Sequence, residues 1–91
     1  MFKLPSQLTI AQVDKCKSQL LQEIDENDDV SFDDTEVTSI DAVGVQLLLA
    51  AVTYIASQNK ELIWNSQSTV IQESVKQLGL NEAILNQYLN I

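Results

Sequence analysis

Carboxylates are the most plentiful side chains in this sequence that could do chemistry. Asp and Glu account for 13 of the 91 residues, whereas Lys and Arg together account for five and histidine is absent. The stretch DENDDVSFDDTE, residues 25–36, has oxygen-bearing residues at the spacing of an EF-hand calcium loop. Its sixth position is Val30, a β-branched residue that is costly at the positive φ of that sharp turn. Because a strand pattern also runs through the stretch, the sequence disfavours a metal site.

A second possible use of carboxylates is acid–base catalysis by Asp33 and Asp41. The chain has no histidine and no Gly-rich phosphate loop, and spacing alone does not support catalysis. Asp41 has a simpler predicted role as the N-cap of a following helix, where its oxygen accepts hydrogen bonds from free backbone amides. Cys16 falls on the apolar face of a predicted helix and is assigned a packing role. We therefore predict a protein without catalytic activity and without a cofactor.

Composition and charge limit the class of protein and its partners. Hydrophobic residues make up 45% of the chain and charged residues 20%, which is typical of a compact protein, and the length predicts one domain over residues 1–91. The net charge of −8 repels nucleic acid and anionic lipid. No signal-peptide pattern opens the chain, and the longest apolar run, Val43 to Val52, is about half a membrane span. These features predict a cytoplasmic protein with no direct membrane insertion.

The hydrophobic pattern predicts alternating strands and helices. Thr9 and Gln12 have capping-box spacing, so a helix is expected from Thr9 to about Asn27. Its apolar face comprises Val13, Cys16, Leu20, Leu21 and Ile24.

Strands are expected at 30–32 and 61–65, with a helix from Ala42 to Ser57 between them. The run from Leu62 to Trp64 suits a strand covered on both faces. A strand–helix–strand order predicts an α/β fold with parallel strands.

The ends of the chain carry weaker signals. Residues 2–4 are a possible edge strand. A third helix is expected to begin at Ser66 or Ser68 and to close at Gly79 with a contact between Leu80 and Val75. A last short helix is expected from about residue 82 to residue 89.

The helix over residues 42–57 has an unusually narrow polar strip. Gln46, Thr53 and Ser57 form that strip with Ala50, and apolar residues cover almost all the remaining surface. The core takes the opposite face, which leaves Leu47 on a flank. Such a flank is covered either by a neighbouring element or by a partner protein.

The segment SFDDTEVTSIDAVGVQLLLA resembles the signature of STAS domains, the sulfate-transporter and anti-sigma-factor-antagonist family. In that signature an apolar strand leads to Asp-Leu-Ser and a Val, then to an apolar residue, Asp, two small residues, Gly and a leucine-rich helix. This chain departs from it at Asp34, where the family favours Leu. The residues in register are Asp33, Val37, Ile40, Asp41, Gly44 and Val45. The segments on either side are also similar to the family pattern, so the resemblance covers nearly the whole chain. By its length, the chain looks most like a short, free-standing bacterial member of the family.

The resemblance implies a regulatory function through protein binding. In antagonist members a Ser or Thr after the signature Asp is phosphorylated by a partner kinase, but this chain has Ala42 there and Val43 at the next position. It therefore resembles an antagonist fixed in its unphosphorylated, partner-binding state. The residues predicted to contact the partner are Ser39, Asp41, Ala42, Val43, Gln46 and Leu47.

Several alternatives stay open at the level of sequence. Family resemblance implies a kinase-like anti-sigma factor, a chemotaxis-type signalling protein or a transporter ATPase as the partner. The chain is alternatively a nucleotide-binding regulator or a helper subunit of a lipid-transport ATPase, and a homodimer is possible. Ser39 or Thr38 is a conceivable substitute phosphoacceptor.

Overall fold

The computed structural model describes residues 1–78 and Tyr88. Within them, helices and strands alternate along the chain as the hydrophobic pattern predicts. In chain order the elements are β1 (Phe2–Lys3), β2 (Gln7–Leu8), α1 (Ile10–Glu26), β3 (Asp29–Asp33), β4 (Ser39–Ile40), α2 (Ala42–Ser57), β5 (Glu61–Trp64) and α3 (Thr69–Gln77). The predicted α/β fold is confirmed.

The strands form two small parallel sheets. The larger has the order β1-β3-β5, with Phe2 opposite Phe32 and Val30 opposite Leu62. The smaller joins β2 to β4. The predicted edge strand at the N-terminus and the predicted parallel strand–helix–strand unit are therefore both present.

Among the described residues, helices cover one face of the larger sheet. Val30, Phe32, Leu62 and Trp64 are all buried, as the alternation of a half-buried strand requires. Ile63, however, is 53% exposed, so the prediction that β5 is covered on both faces is wrong. A continuous apolar triplet in a short strand does not by itself distinguish one covered face from two.

The start of α1 is not stabilised as predicted. Thr9 is the N-cap residue, but its side chain makes no capping hydrogen bond. The amide of Gln12 instead bonds to the backbone carbonyl of Thr9, at 2.8 Å, so the capping box does not form. The predicted end is confirmed, because α1 finishes at Glu26 with Asn27 as C-cap. Leu21 was assigned to the buried face, but it is 38% exposed.

Helices α1 and α2 lie side by side and run in the same direction. Their starts meet at Asp41, as described below. Near their other ends the Tyr54 hydroxyl donates a 2.9 Å hydrogen bond to Asp25, and the Lys60 ammonium donates to the backbone carbonyl of Ile24. The last carbonyls of α1 lack partners within the helix, and a cation stabilises that negative end.

The third helix begins at one of the two predicted serines. Ser68 is its N-cap, and the Ser68 hydroxyl accepts from the amide of Ile71 at 3.4 Å. Ile71 and Val75 are buried on the inner face of the helix. The predicted closure at Gly79 with Leu80, and the predicted last helix at 82–89, lie outside the described residues. Tyr88 is described, and its ring stacks on Trp64.

Candidate functional site

One carboxylate joins the starts of α1 and α2. Oδ1 of Asp41 accepts from the amide of Gly44, and Oδ2 accepts from the amide of Ile10, each at 3.0 Å. The first bond is the predicted N-cap of α2. The second crosses to α1 and supplies the acceptor that the Thr9 side chain does not provide. The Asp41 carboxylate therefore accepts hydrogen bonds from the first turns of both helices.

This arrangement is electrostatically favourable because both helices present their positive ends to the same negative group. Parallel neighbouring helices have like ends side by side, and a carboxylate between two N-termini stabilises both. The amide of Ile10, followed by that of Gly44, holds the pKa of Asp41 below its ordinary value. Asp41 is therefore ionised throughout the neutral pH range.

Gly44 lets the start of α2 approach the backbone of β2. A Cβ atom at this position would lie 2.0 Å from the carbonyl oxygen of Leu8 and 2.9 Å from Cγ1 of Ile40. A side chain cannot be accommodated at such distances without displacing backbone. The glycine in the predicted signature is therefore required by packing, and it fixes α2 against the smaller sheet.

The first turn of α2 exposes small and apolar side chains. Ala42 is the first residue of the helix, and both it and Val43 are exposed, Val43 by 38%. Gln46 is exposed one turn later. Ile10, which is 73% exposed, starts the neighbouring helix on the other side of Asp41. This end of the molecule therefore combines exposed apolar side chains with a partly exposed carboxylate.

The structure separates Leu47 from the other residues predicted to contact a partner. Leu47 is 9% exposed and belongs to the hydrophobic core cluster, where it faces α1. Helix α1 therefore covers most of Leu47, which lines a groove between the two helices. Helical periodicity predicts the direction in which a flank residue points, but it does not predict which element covers that residue.

The hydroxyl groups before Asp41 have different environments. Ser39 is exposed in β4, opposite Gln7 of β2. The Thr38 hydroxyl donates to the carbonyl of Ser6 at 3.2 Å. Thr38 therefore has an ordinary structural role in joining the two segments, whereas the position of Ser39 leaves its side chain accessible.

Asp33 and Asp41 are each held by neighbouring groups. Asp33 accepts from the amide and the hydroxyl of Thr35, at 3.0 and 2.7 Å, and these bonds lower its pKa. Asp41 bonds to the two helix starts as described. The pKa of a general acid is raised, but the pKa of neither carboxylate is. The hydrogen bonds of Asp33 are those of a turn, and the hydrogen bonds of Asp41 are those of helix caps.

A third aspartate has a role that the sequence did not reveal. Asp34 is 1% exposed, and its oxygens accept from Trp64 Nε1 at 3.1 Å, the Ser66 hydroxyl at 2.7 Å and the Gln67 amide at 2.8 Å. These bonds tie the end of β3 to the end of β5. The polar residue at a position where the STAS pattern favours Leu was the one signal of this network.

The acidic stretch 25–36 does not fold as a calcium loop. Helix α1 continues through its first two residues, and β3 occupies Asp29–Asp33. Across residues 1–78 and Tyr88, no group of three or more acidic, Cys or His side chains is placed to hold a metal ion.

Comparison with known families agrees with this fold. The family model described as "Mlab, STAS domain" matches residues 1–87. The chain therefore belongs to the STAS domain family, whose members in general are regulatory modules that act through protein–protein contacts. Comparisons with curated proteins and with solved structures found no significant match. In the part of the chain that the structure describes, no helix combines the length and apolar character needed to cross a membrane.

Proposed function

We propose that this chain is a non-catalytic regulatory module, of the anti-sigma factor antagonist type, that binds a protein partner through the start of α2. The proposed docking face comprises Ser39, Asp41, Ala42, Val43 and Gln46. The observation that carries the proposal is the exposure of Ala42 and Val43 beside an ionised Asp41. An apolar centre with polar surroundings is the usual anatomy of a protein interface.

The same face lacks the usual phosphorylation switch. Ala42 has no hydroxyl, so no phosphate can be attached at the first residue of α2. A phosphate there would add up to about two negative charges next to the Asp41 carboxylate. Without it the face stays in one charge state, equivalent to the unphosphorylated, partner-binding form of an antagonist. Ser39 is exposed and is the remaining hydroxyl of the face at which a kinase would act.

The class of partner follows from family membership rather than from a particular contact. A kinase-like anti-sigma factor, a chemotaxis-type signalling protein and an ATPase of a lipid transporter are the proposed classes, in a bacterial cytoplasm. Nucleotide binding at the helix starts is disfavoured. The amides of Ile10 and Gly44, which would attract a phosphate, already bond to Asp41.

The proposal is tested by affinity capture from the native cell extract with the wild type and Ala42→Glu. Glu at an exposed first helical position suits the helix dipole, so the variant is expected to keep the melting temperature of the wild type. In a complex, the same carboxylate is buried without a partner and should abolish binding.

Ala56→Glu is the matched control, because it makes the same substitution at an exposed position near the other end of α2. The expected result is a protein identified by mass spectrometry with the wild type and with Ala56→Glu, and absent with Ala42→Glu. Equal capture by all three proteins would show that the docking face lies elsewhere.

A further inference from the structure

An apolar groove runs between α1 and α2, away from the docking face. Its walls are formed by Leu20, Leu21 and Ile24 of α1 and by Leu47, Ala50 and Tyr54 of α2. The groove has a volume of about 180 Å³. Leu21 is 38% exposed at its edge, and Ala50 is exposed on the opposite wall. It is therefore an open groove with an apolar floor and not a closed cavity.

The size of the groove limits what it can hold. An apolar cavity of about 150 Å³ is known to accept a benzene ring. The groove is thus matched to one bulky aliphatic or aromatic side chain and is too small for a whole helix. Hydrophobic burial of one such side chain contributes affinity, and the surrounding polar contacts decide which segment supplies it.

Helix α2 contains no charged residue, so the charges around the groove come from α1 and from Lys60, whose ammonium group donates to the carbonyl of Ile24 in the groove wall. Lys17 lines one part of the groove. Asp25 lies two helical turns further on, about 12 Å along the axis, where it accepts the Tyr54 hydroxyl through Oδ1. Asp25 is therefore an exposed carboxylate at one end of the groove, and the Lys60 ammonium lies at the carbonyl of the residue before it.

This charge pattern selects between possible occupants. A second copy of the chain would also carry a net charge of −8, so that self-association is opposed by charge repulsion. A segment with a cation next to its apolar side chain is instead attracted, both by the whole molecule and by Asp25. Its cation would approach Asp25 from the solvent side and stay clear of both Lys17 and Lys60.

We propose that the groove between α1 and α2 binds a segment of a basic protein partner. One bulky aliphatic or aromatic side chain fills the groove, and an adjacent Lys or Arg of the segment pairs with Asp25. This inference rests on the proposed function, since it assumes a protein partner, and it adds a second contact region about two turns along α2 from the docking face.

Random twelve-residue peptides displayed on phage and selected on the immobilised protein provide the test. We expect the enriched peptides to combine a bulky apolar residue with Lys or Arg. Synthetic copies should lose at least about tenfold in affinity with Ala50→Glu, which places an unpaired charge in the groove wall. Asp25→Asn should cause a loss of about threefold that disappears at high salt, as expected of an exposed ion pair.

A matched control variant and a check of folding keep the test specific. Ala56→Glu, at an exposed position that does not line the groove, should leave peptide affinity unchanged, and melting curves establish that Ala50→Glu is folded. The proposal is overturned if no peptide is enriched, if the enriched peptides lack basic residues, or if they bind Ala50→Glu as well as the wild type. A dimer of the wild type that Ala50→Glu dissociates would assign the groove to a second copy and also overturn it.

The experiment separates this proposal from the proposed function. Ala42 does not line the groove, so Ala42→Glu should bind the selected peptides normally. Loss of the captured partner with Ala42→Glu but not with Ala50→Glu would support the docking face and reject the groove. The opposite pattern would support the groove and reject the docking face.

Discussion

Replacing Gly44 with alanine measures how tightly α2 is held against β2. In an unconstrained helix the change stabilises by about 1 kcal/mol, because Ala has the higher helix propensity. Here the new Cβ would lie 2.0 Å from the Leu8 carbonyl oxygen. That oxygen belongs to the backbone of β2, so relief of the overlap requires the helix start and the strand to move apart. Overpacking costs about 1–3 kcal/mol. The cost here should be near the upper end of that range, because the overlap is with backbone.

The net expected effect of Gly44→Ala is therefore a loss of about 2 kcal/mol in the free energy of unfolding. For a domain of this size, that corresponds to a fall in melting temperature of about 8–16 °C. Urea and thermal unfolding followed by circular dichroism measure both quantities. Ala56→Gly, at an exposed position in the last turn of the same helix, calibrates helix propensity and should cost less than the roughly 1 kcal/mol of a helix interior. Gly44→Val should lower the free energy of unfolding more than Gly44→Ala does. If Gly44→Ala were as stable as the wild type, the close approach at Gly44 would not constrain the fold.

Two further substitutions test the aspartates that organise the chain. Asp34→Leu removes the acceptor of the buried Trp64 N–H and should cost about 2–4 kcal/mol in urea unfolding; an unchanged midpoint would show that the network contributes nothing net. Asp41→Asn keeps one oxygen and so can cap only one of the two helices. Because the folded-state pKa of Asp41 is lowered, its contribution is complete above the unfolded pKa of about 4 and is lost as the pH falls through the folded value. The difference in midpoint between wild type and Asp41→Asn should therefore be largest near neutral pH and shrink as the pH falls through the lowered folded-state pKa of Asp41, whereas a constant difference would contradict this account.

Features encoded by nearby residues were predictable from the sequence. The bounds of α2 and its cap at Asp41 were found, and the start of α3 was narrowed to Ser66 or Ser68, because capping groups and the helices they serve are adjacent in the chain. The parallel strand–helix–strand unit followed from the order of the elements. These signals need only a few consecutive residues and a hydrophobic period.

Features that depend on distant residues were missed. The bond from Asp41 to Ile10 spans 31 positions, and the bond from Asp34 to Trp64 spans 30. No local pattern distinguishes an aspartate that bonds across the fold from one that is solvated at a strand end. The burial of Leu47 and the exposure of Ile63 were missed for a related reason: the covering element is set by tertiary packing, which periodicity does not contain.

The pairing of the strands has a consequence for how the chain folds. Phe2 pairs with Phe32, Gln7 with Ser39 and Val30 with Leu62, so every strand pair closes a loop of about thirty residues. Such non-local pairing is expected to make folding slower than that of a helical bundle of equal length. During synthesis, β1 and β2 have no strand to pair with until β3 and β4 have left the ribosome. The first eight residues therefore cannot form their strand pairs until the middle of the chain has been synthesised. Strand β5 is the last of these strands to join the sheet.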